Sequence, residues 1–169
     1  CELVIAAALL LSVSGLLVLV TAGPNPVLTR LSVGLHVIGT LLGIAGAVSV
    51  IAYGDAATAS LDLPVWGEVS LSVDRLASLF LVPVFFVSAV GAVYEIEYCK
   101  HHESARLIRS FYGLLSGSLA LVVCAKHGIL FLFFWEIMAL AAFFLIAAED
   151  RRQEARSASL MYLACTHSG

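Results

Sequence analysis

Residues 128–148 read GILFLFFWEIMALAAFFLIAA, and each of them is apolar or glycine except Glu136. About 20 apolar residues carry a helix across the hydrocarbon core of a bilayer, so this run reads as a membrane span with one carboxylate inside it. The chain around it has the same character. Its 169 residues are 61% hydrophobic and 12% charged, with a mean hydropathy of +1.02, well outside the range of a soluble domain. The same ruler marks five spans and the start of a sixth, at residues 3–20, 33–53, 76–94, 110–125, 129–148 and from 158 onward. The expected fold is all-α, a polytopic transmembrane helix bundle. The only charge before the first run is Glu2, and no small-residue cleavage site follows it. That favours a membrane span over a signal peptide.

Connections divide the chain further. TAGPNPVLTR carries two prolines and reads as a turn. In GDAATASLDLPVWGEVSLSVD, the alternation of EVSLSV suggests a short extended segment against the membrane face. EIEYCKHHESARLIR is charged and continues the flanking helices, while KHG at 126–128 is short enough to force an antiparallel helix pair. Two regions result: 1–106, holding three spans, an outward loop and a cytoplasmic connection, and 107–169, which begins a transport core. The chain opens at Cys1 and stops at Gly169 within an apolar run, which reads as a piece of a longer protein.

Basic residues in short loops stay on the cytoplasmic side. With alternating spans, one side receives Arg30, Lys100, Arg106, Arg109, Arg151, Arg152 and Arg156, and the other only Arg75 and Lys126. This places a multi-pass protein in the cell membrane with its amino terminus outside, and the loop holding Asp55, Asp62, Glu68 and Asp74 outside as well. A net charge of −3 offers no basic surplus for nucleic acid. Cys1, Cys99, Cys124 and Cys165 form no CxxC pair, so neither zinc nor a disulfide framework is indicated. Small residues four apart, Gly39/Gly43 with Ala47 and Gly113/Gly117, mark helix faces that a neighbouring backbone can approach closely. Pro83 frees a backbone carbonyl in the third span.

Glu136 stands at least seven residues from either end of its span, too deep to snorkel to water. An ionised carboxylate there costs about 2.5–3.5 kcal/mol on lenient insertion scales unless it finds a partner, a wet cavity or a proton. It reads as a proton-relay residue; the structural alternative is a protonated donor holding two helices together. No basic residue falls inside the five complete spans as delimited, so the nearest candidates are Lys126 and His127 at the turn. Lys126, ten positions earlier, suits an interfacial anchor as well as a relay. His167 lies in the sixth run and reads equally as a relay member or a hydrogen-bonded core histidine. His36 is placed near the end of the second span as an interfacial or packed residue. His101 and His102 beside Cys99 and Glu103 read as a solvated face rather than a metal site. No nucleophile with an adjacent base, phosphate loop or cofactor fingerprint appears, so no cofactor, metal or catalysis is assigned to this chain.

LSVDRLASLFLVPVFF, LFFWEIMALAAFFLI and ASLMYLACTHSG, in this order and spacing, resemble the antiporter-like membrane subunits of energy-converting complexes. The nearest resemblance is to the large membrane subunit of formate hydrogenlyase and hydrogenase-4 (component B), with complex I antiporter-like subunits and Mrp antiporters as relatives. It rests on Asp74-Arg75-Leu76, Trp135-Glu136-x-Met138 and Thr166-His167-x-Gly169; glycine is commoner in the family where Arg75 stands. The resemblance implies the leading part of a subunit of about fourteen helices built as inverted repeats. It also implies that Glu136 is the span-five glutamate, which pairs with a lysine on the seventh helix beyond these residues. The expected function is proton translocation coupled to electron transfer in partner subunits, within a hydrogenase or NADH:quinone oxidoreductase complex. The expected partners are other membrane subunits, the lipid bilayer and protons or Na⁺. A cation/proton antiporter of the Mrp type and a structural membrane scaffold are the alternatives.

Overall fold

The computed structural model describes residues 2–20, 26–54, 57–63, 67–98, 104–148 and 153–168. Among them are six helices: α1 (Glu2–Val20), α2 (Pro26–Tyr53), α3 (Arg75–Tyr98), α4 (Ala105–Cys124), α5 (Gly128–Ala147) and α6 (Gln153–Ser168). The first five are long and apolar enough to cross a membrane. Large apolar side chains of α3 such as Leu79, Phe80, Phe86, Val87 and Val90 are exposed, as they are on helices whose solvent is lipid.

The helices outrun the apolar runs. A hydropathy ruler stops at the first charge, whereas the i→i−4 hydrogen bonds of a helix do not. α3 therefore continues through Glu95 to Tyr98, unbroken at Pro83, and α4 begins at Ala105 rather than 110. α2 starts at Pro26, a residue whose fixed φ and missing N–H suit the first helical position. Part of the expected turn is thus helical, and the rest of it lies outside the described residues.

The α2–α3 connection forms a hairpin, more than the single extended segment expected. β1 (Ala57–Leu63) pairs antiparallel with β2 (Gly67–Val73), in a register that sets Ala57 opposite Val73 and Leu63 opposite Gly67. The hairpin is tied to the bundle in two places. Asp74 Oδ1 accepts from the Ala77 N–H at 2.7 Å, capping the start of α3. The backbone N–H of Lys126 donates to the Ser70 carbonyl at 3.1 Å, next to a bridge between Leu71 and Ala125. The α4–α5 turn is therefore held by the strand.

α1 packs against both α2 and α4, and α3 closes the group by packing on α2 and α4. Val4, Ala7, Ala8, Leu11, Ala47, Leu81, Phe85, Ala120 and Leu121 fill the centre. Without a hydrophobic drive between helices in lipid, close packing must hold such a group, and the glycines show how. A Cβ on Gly113 would stand 2.7 Å from the Gly15 nitrogen of α1, and one on Gly117 would stand 2.7 Å from the Ala8 carbonyl. The α4 stripe is thus one crossing with α1. The α2 stripe divides instead: Gly39 faces α1, while Gly43 receives the ring of Phe85 from α3. α5 lies outside this group on α4, and α6 lies on α5.

Candidate functional site

α5 is nearly uniform in hydropathy around its circumference, so the covering of its faces is set by neighbours rather than by an amphipathic stripe. Ala139 and Ala141 are its buried residues. Glu136 falls on the open side, eight residues from Gly128, or about 12 Å along the axis. There it meets α6. His167 Nε2 stands 2.9 Å from Glu136 Oε1, and the two side chains remain 45% and 49% exposed.

The other ring nitrogen fixes what passes between them. His167 Nδ1 lies 2.9 Å from the Leu163 carbonyl, which can only accept, so Nδ1 carries a hydrogen. The Thr166 hydroxyl is turned to the Tyr162 and Leu163 carbonyls, 3.0 Å from each. Nε2 is then either the bare nitrogen of a neutral ring or the second N–H of an imidazolium. Two lone pairs do not hold at hydrogen-bonding distance, so one proton occupies the Glu136–His167 contact in either case. Carboxylate with imidazolium and carboxylic acid with imidazole are the two forms, and both are neutral overall.

The structure thus brings two of the expected site residues together and leaves the third apart. Lys126 is exposed and precedes the first turn of α5; its backbone N–H donates to the Ser70 carbonyl. His127 caps the same helix, its Nδ1 accepting from the Ile129 N–H at 3.3 Å. Cys99, His101, His102 and Glu103 lie outside the described residues.

One expectation needs correction. Arg109, counted among the charges of a connection expected to continue the flanking helices, does lie in α4, but it is buried rather than a connection charge; its Nε donates to Glu95 Oε1 of α3 at 2.5 Å. A basic residue does sit within a spanning helix, therefore, and it appears once the helix is extended past its apolar core. His36, read as an interfacial or packed residue near the end of its span, is ten residues inside α2 and packed, at 4% exposure. Its ring stacks on Tyr112 with centroids 5.4 Å apart. The spacing of Arg109, Tyr112 and Ser116, three and four residues apart, was the available sign of one polar face on α4.

No protein-family profile matches the chain. It is similar to uncharacterised proteins of Mycobacterium tuberculosis strains CDC 1551 and H37Rv, at 33% identity over 129 residues in each case. The match covers 76% of this chain but 19% of either relative, so the chain spans about a fifth of the length of the curated relatives it matches.

Proposed function

We propose that this chain is part of a proton-translocating, antiporter-like membrane subunit in a redox-driven complex of the hydrogenase, formate hydrogenlyase or NADH:quinone oxidoreductase kind. Glu136 and His167 exchange the transported proton. The observation that carries this reading is their contact at 2.9 Å in the middle of an apolar span. A purely structural bond between α5 and α6 is served as well by an amide or hydroxyl pair. Two groups that can each own one shared proton are what a relay requires, because the proton changes hands without leaving a net charge in the membrane. The half-open faces of both side chains leave the site accessible to whatever delivers and removes protons. The chain's own contribution is to position the pair: α4 holds α5, α5 holds α6, and Leu163 fixes the ring.

The test is Glu136→Gln in the full-length protein within its native complex, which preserves shape and removes ionisation. The expected result is proton translocation lost by a factor of at least about ten, with assembly and electron transfer retained. Normal pumping would overturn the reading. Na⁺-dependent transport without any electron donor would replace it with a cation/proton antiporter, and loss of assembly with a scaffold.

A further inference from the structure

Where the hairpin meets the bundle, a cleft of about 400 Å³ lies among β2, the start of α3, the end of α4 and the first turn of α5. That volume falls in the range of small-ligand sites. Its interior is apolar. Val122 belongs to the last turn of α4, the helix on which α3 and α5 both pack. Phe80 is five residues into α3 and Phe131 three residues into α5, so they stand about 8 Å and about 5 Å along their helices. Leu76, Phe80 and Phe131 are all exposed. Apolar surface left open at this depth of a spanning bundle has hydrocarbon to meet.

The cleft also has a charged end. Asp74, one residue before α3, and Lys126, two residues after α4, both line it, and they are its two charged residues. Neither takes part in an ion pair among the described residues. The Asp74 carboxylate accepts the Ala77 N–H at 2.7 Å through Oδ1, one bond of the roughly four such a group can accept. Arg75, next to it in sequence, lies instead over Gly54, just after α2. Lys126 commits its backbone N–H to the Ser70 carbonyl at 3.1 Å, which leaves its side-chain ammonium for other partners.

An occupant that suits all of this has a hydrocarbon part, an anion for Lys126 and a cation with N–H groups for Asp74. A phospholipid whose head carries a phosphate and a primary ammonium has the three together. A head with the phosphate alone brings a second negative charge beside Asp74. A choline head has a cation but no N–H to donate, so it forgoes the charge-assisted bond to the carboxylate.

We propose that this cleft is a binding site for phosphatidylethanolamine, with an acyl chain on Phe80, Val122 and Phe131, the phosphate held by Lys126 and the ammonium by Asp74. The seated lipid joins the hairpin, the start of α3 and the α4–α5 turn. This site goes beyond the Glu136–His167 reading and does not depend on it.

The experiment is native mass spectrometry of the full-length protein in detergent, titrated with phosphatidylethanolamine, phosphatidylcholine and phosphatidylglycerol of the same acyl chains. The expected result is one phosphatidylethanolamine retained at least about threefold more tightly than either of the others. Lys126→Gln should abolish that preference, and so should Asp74→Asn, which keeps a capping oxygen for α3. Arg30→Gln, which removes a basic residue near the start of α2, should leave it intact. Equal retention of the three lipids, a preference for phosphatidylglycerol, or a preference that survives Lys126→Gln would each overturn the proposal. Lys126 is exposed and outside the helices, so its variant decides the matter even where Asp74→Asn disturbs the fold. Glu136→Gln should retain the lipid as the parent does, whatever that substitution does to transport.

Discussion

Arg109 reaches Glu95 in the interior, both side chains being about one-tenth exposed. At such a depth the pair and its separated members differ greatly in energy. Two buried opposite charges roughly offset the cost of their burial, but removing one leaves the other without its counter-charge, typically at 3–5 kcal/mol. Arg109→Met should therefore destabilise the protein by about 3 kcal/mol, read as a lowered thermal midpoint in detergent. Joining it with Glu95→Met should recover most of the loss, which a mere packing defect at either position would not allow. Neither residue is conspicuous in the sequence, because each lies where the apolar run has already ended. Glu136 stands out for the opposite reason, being the one charge in an otherwise apolar span. Its contact with His167, 31 residues away, depends on how α5 and α6 turn toward one another. That is a matter of three-dimensional packing, which periodicity in a uniformly apolar helix does not record.

Helix contacts in the bundle turn on backbone proximity more than on side-chain volume. Gly113 and Gly15 meet where α4 crosses α1, and any Cβ on Gly113 lies within 3.0 Å of the Leu11 carbonyl as well as against Gly15. Backbone atoms cannot swing aside as a side chain can. Gly113→Leu should separate α1 from α4 and cost roughly 1–3 kcal/mol, measured as loss of folded protein from the membrane. Gly34→Ala is the control, since a Cβ there meets nothing within 4 Å, and it should be neutral or slightly stabilising. Spans were legible as elements because lipid demands long apolar runs. The hairpin was half legible: the alternation in β2 is clear, but β1, ATASLDL, has the small and polar composition of a loop. Its strand character comes from pairing with β2 rather than from its own residues.

If the five long apolar helices cross a membrane in alternation, the hairpin and the start of α6 stand on opposite faces of it. We propose that the face next to α6 is the cytoplasmic one, because Arg30, Arg106 and Arg156 near helix ends and Lys100, Arg151 and Arg152 in the connections all fall on that side. In a chain with its native cysteines replaced, Thr58→Cys on β1 should react with a membrane-impermeant maleimide in intact cells, and Ser157→Cys only after permeabilisation. The reverse pattern would invert the assignment, and labelling of both in intact cells would break the span count. Burying Arg109 removes one of the charges that support this orientation but leaves the imbalance in place, since Arg30, Lys100, Arg106, Arg151, Arg152 and Arg156 still fall on one side.

The order of synthesis gives the Glu136–His167 contact a consequence for how the protein is made. α5 leaves the ribosome before α6 exists, so during insertion the acid has no imidazole to meet. A helix partitions into lipid most readily when its carboxyl is the neutral acid. The first proton this carboxyl ever carries would then be one acquired at birth, handed on once the histidine docks beside it.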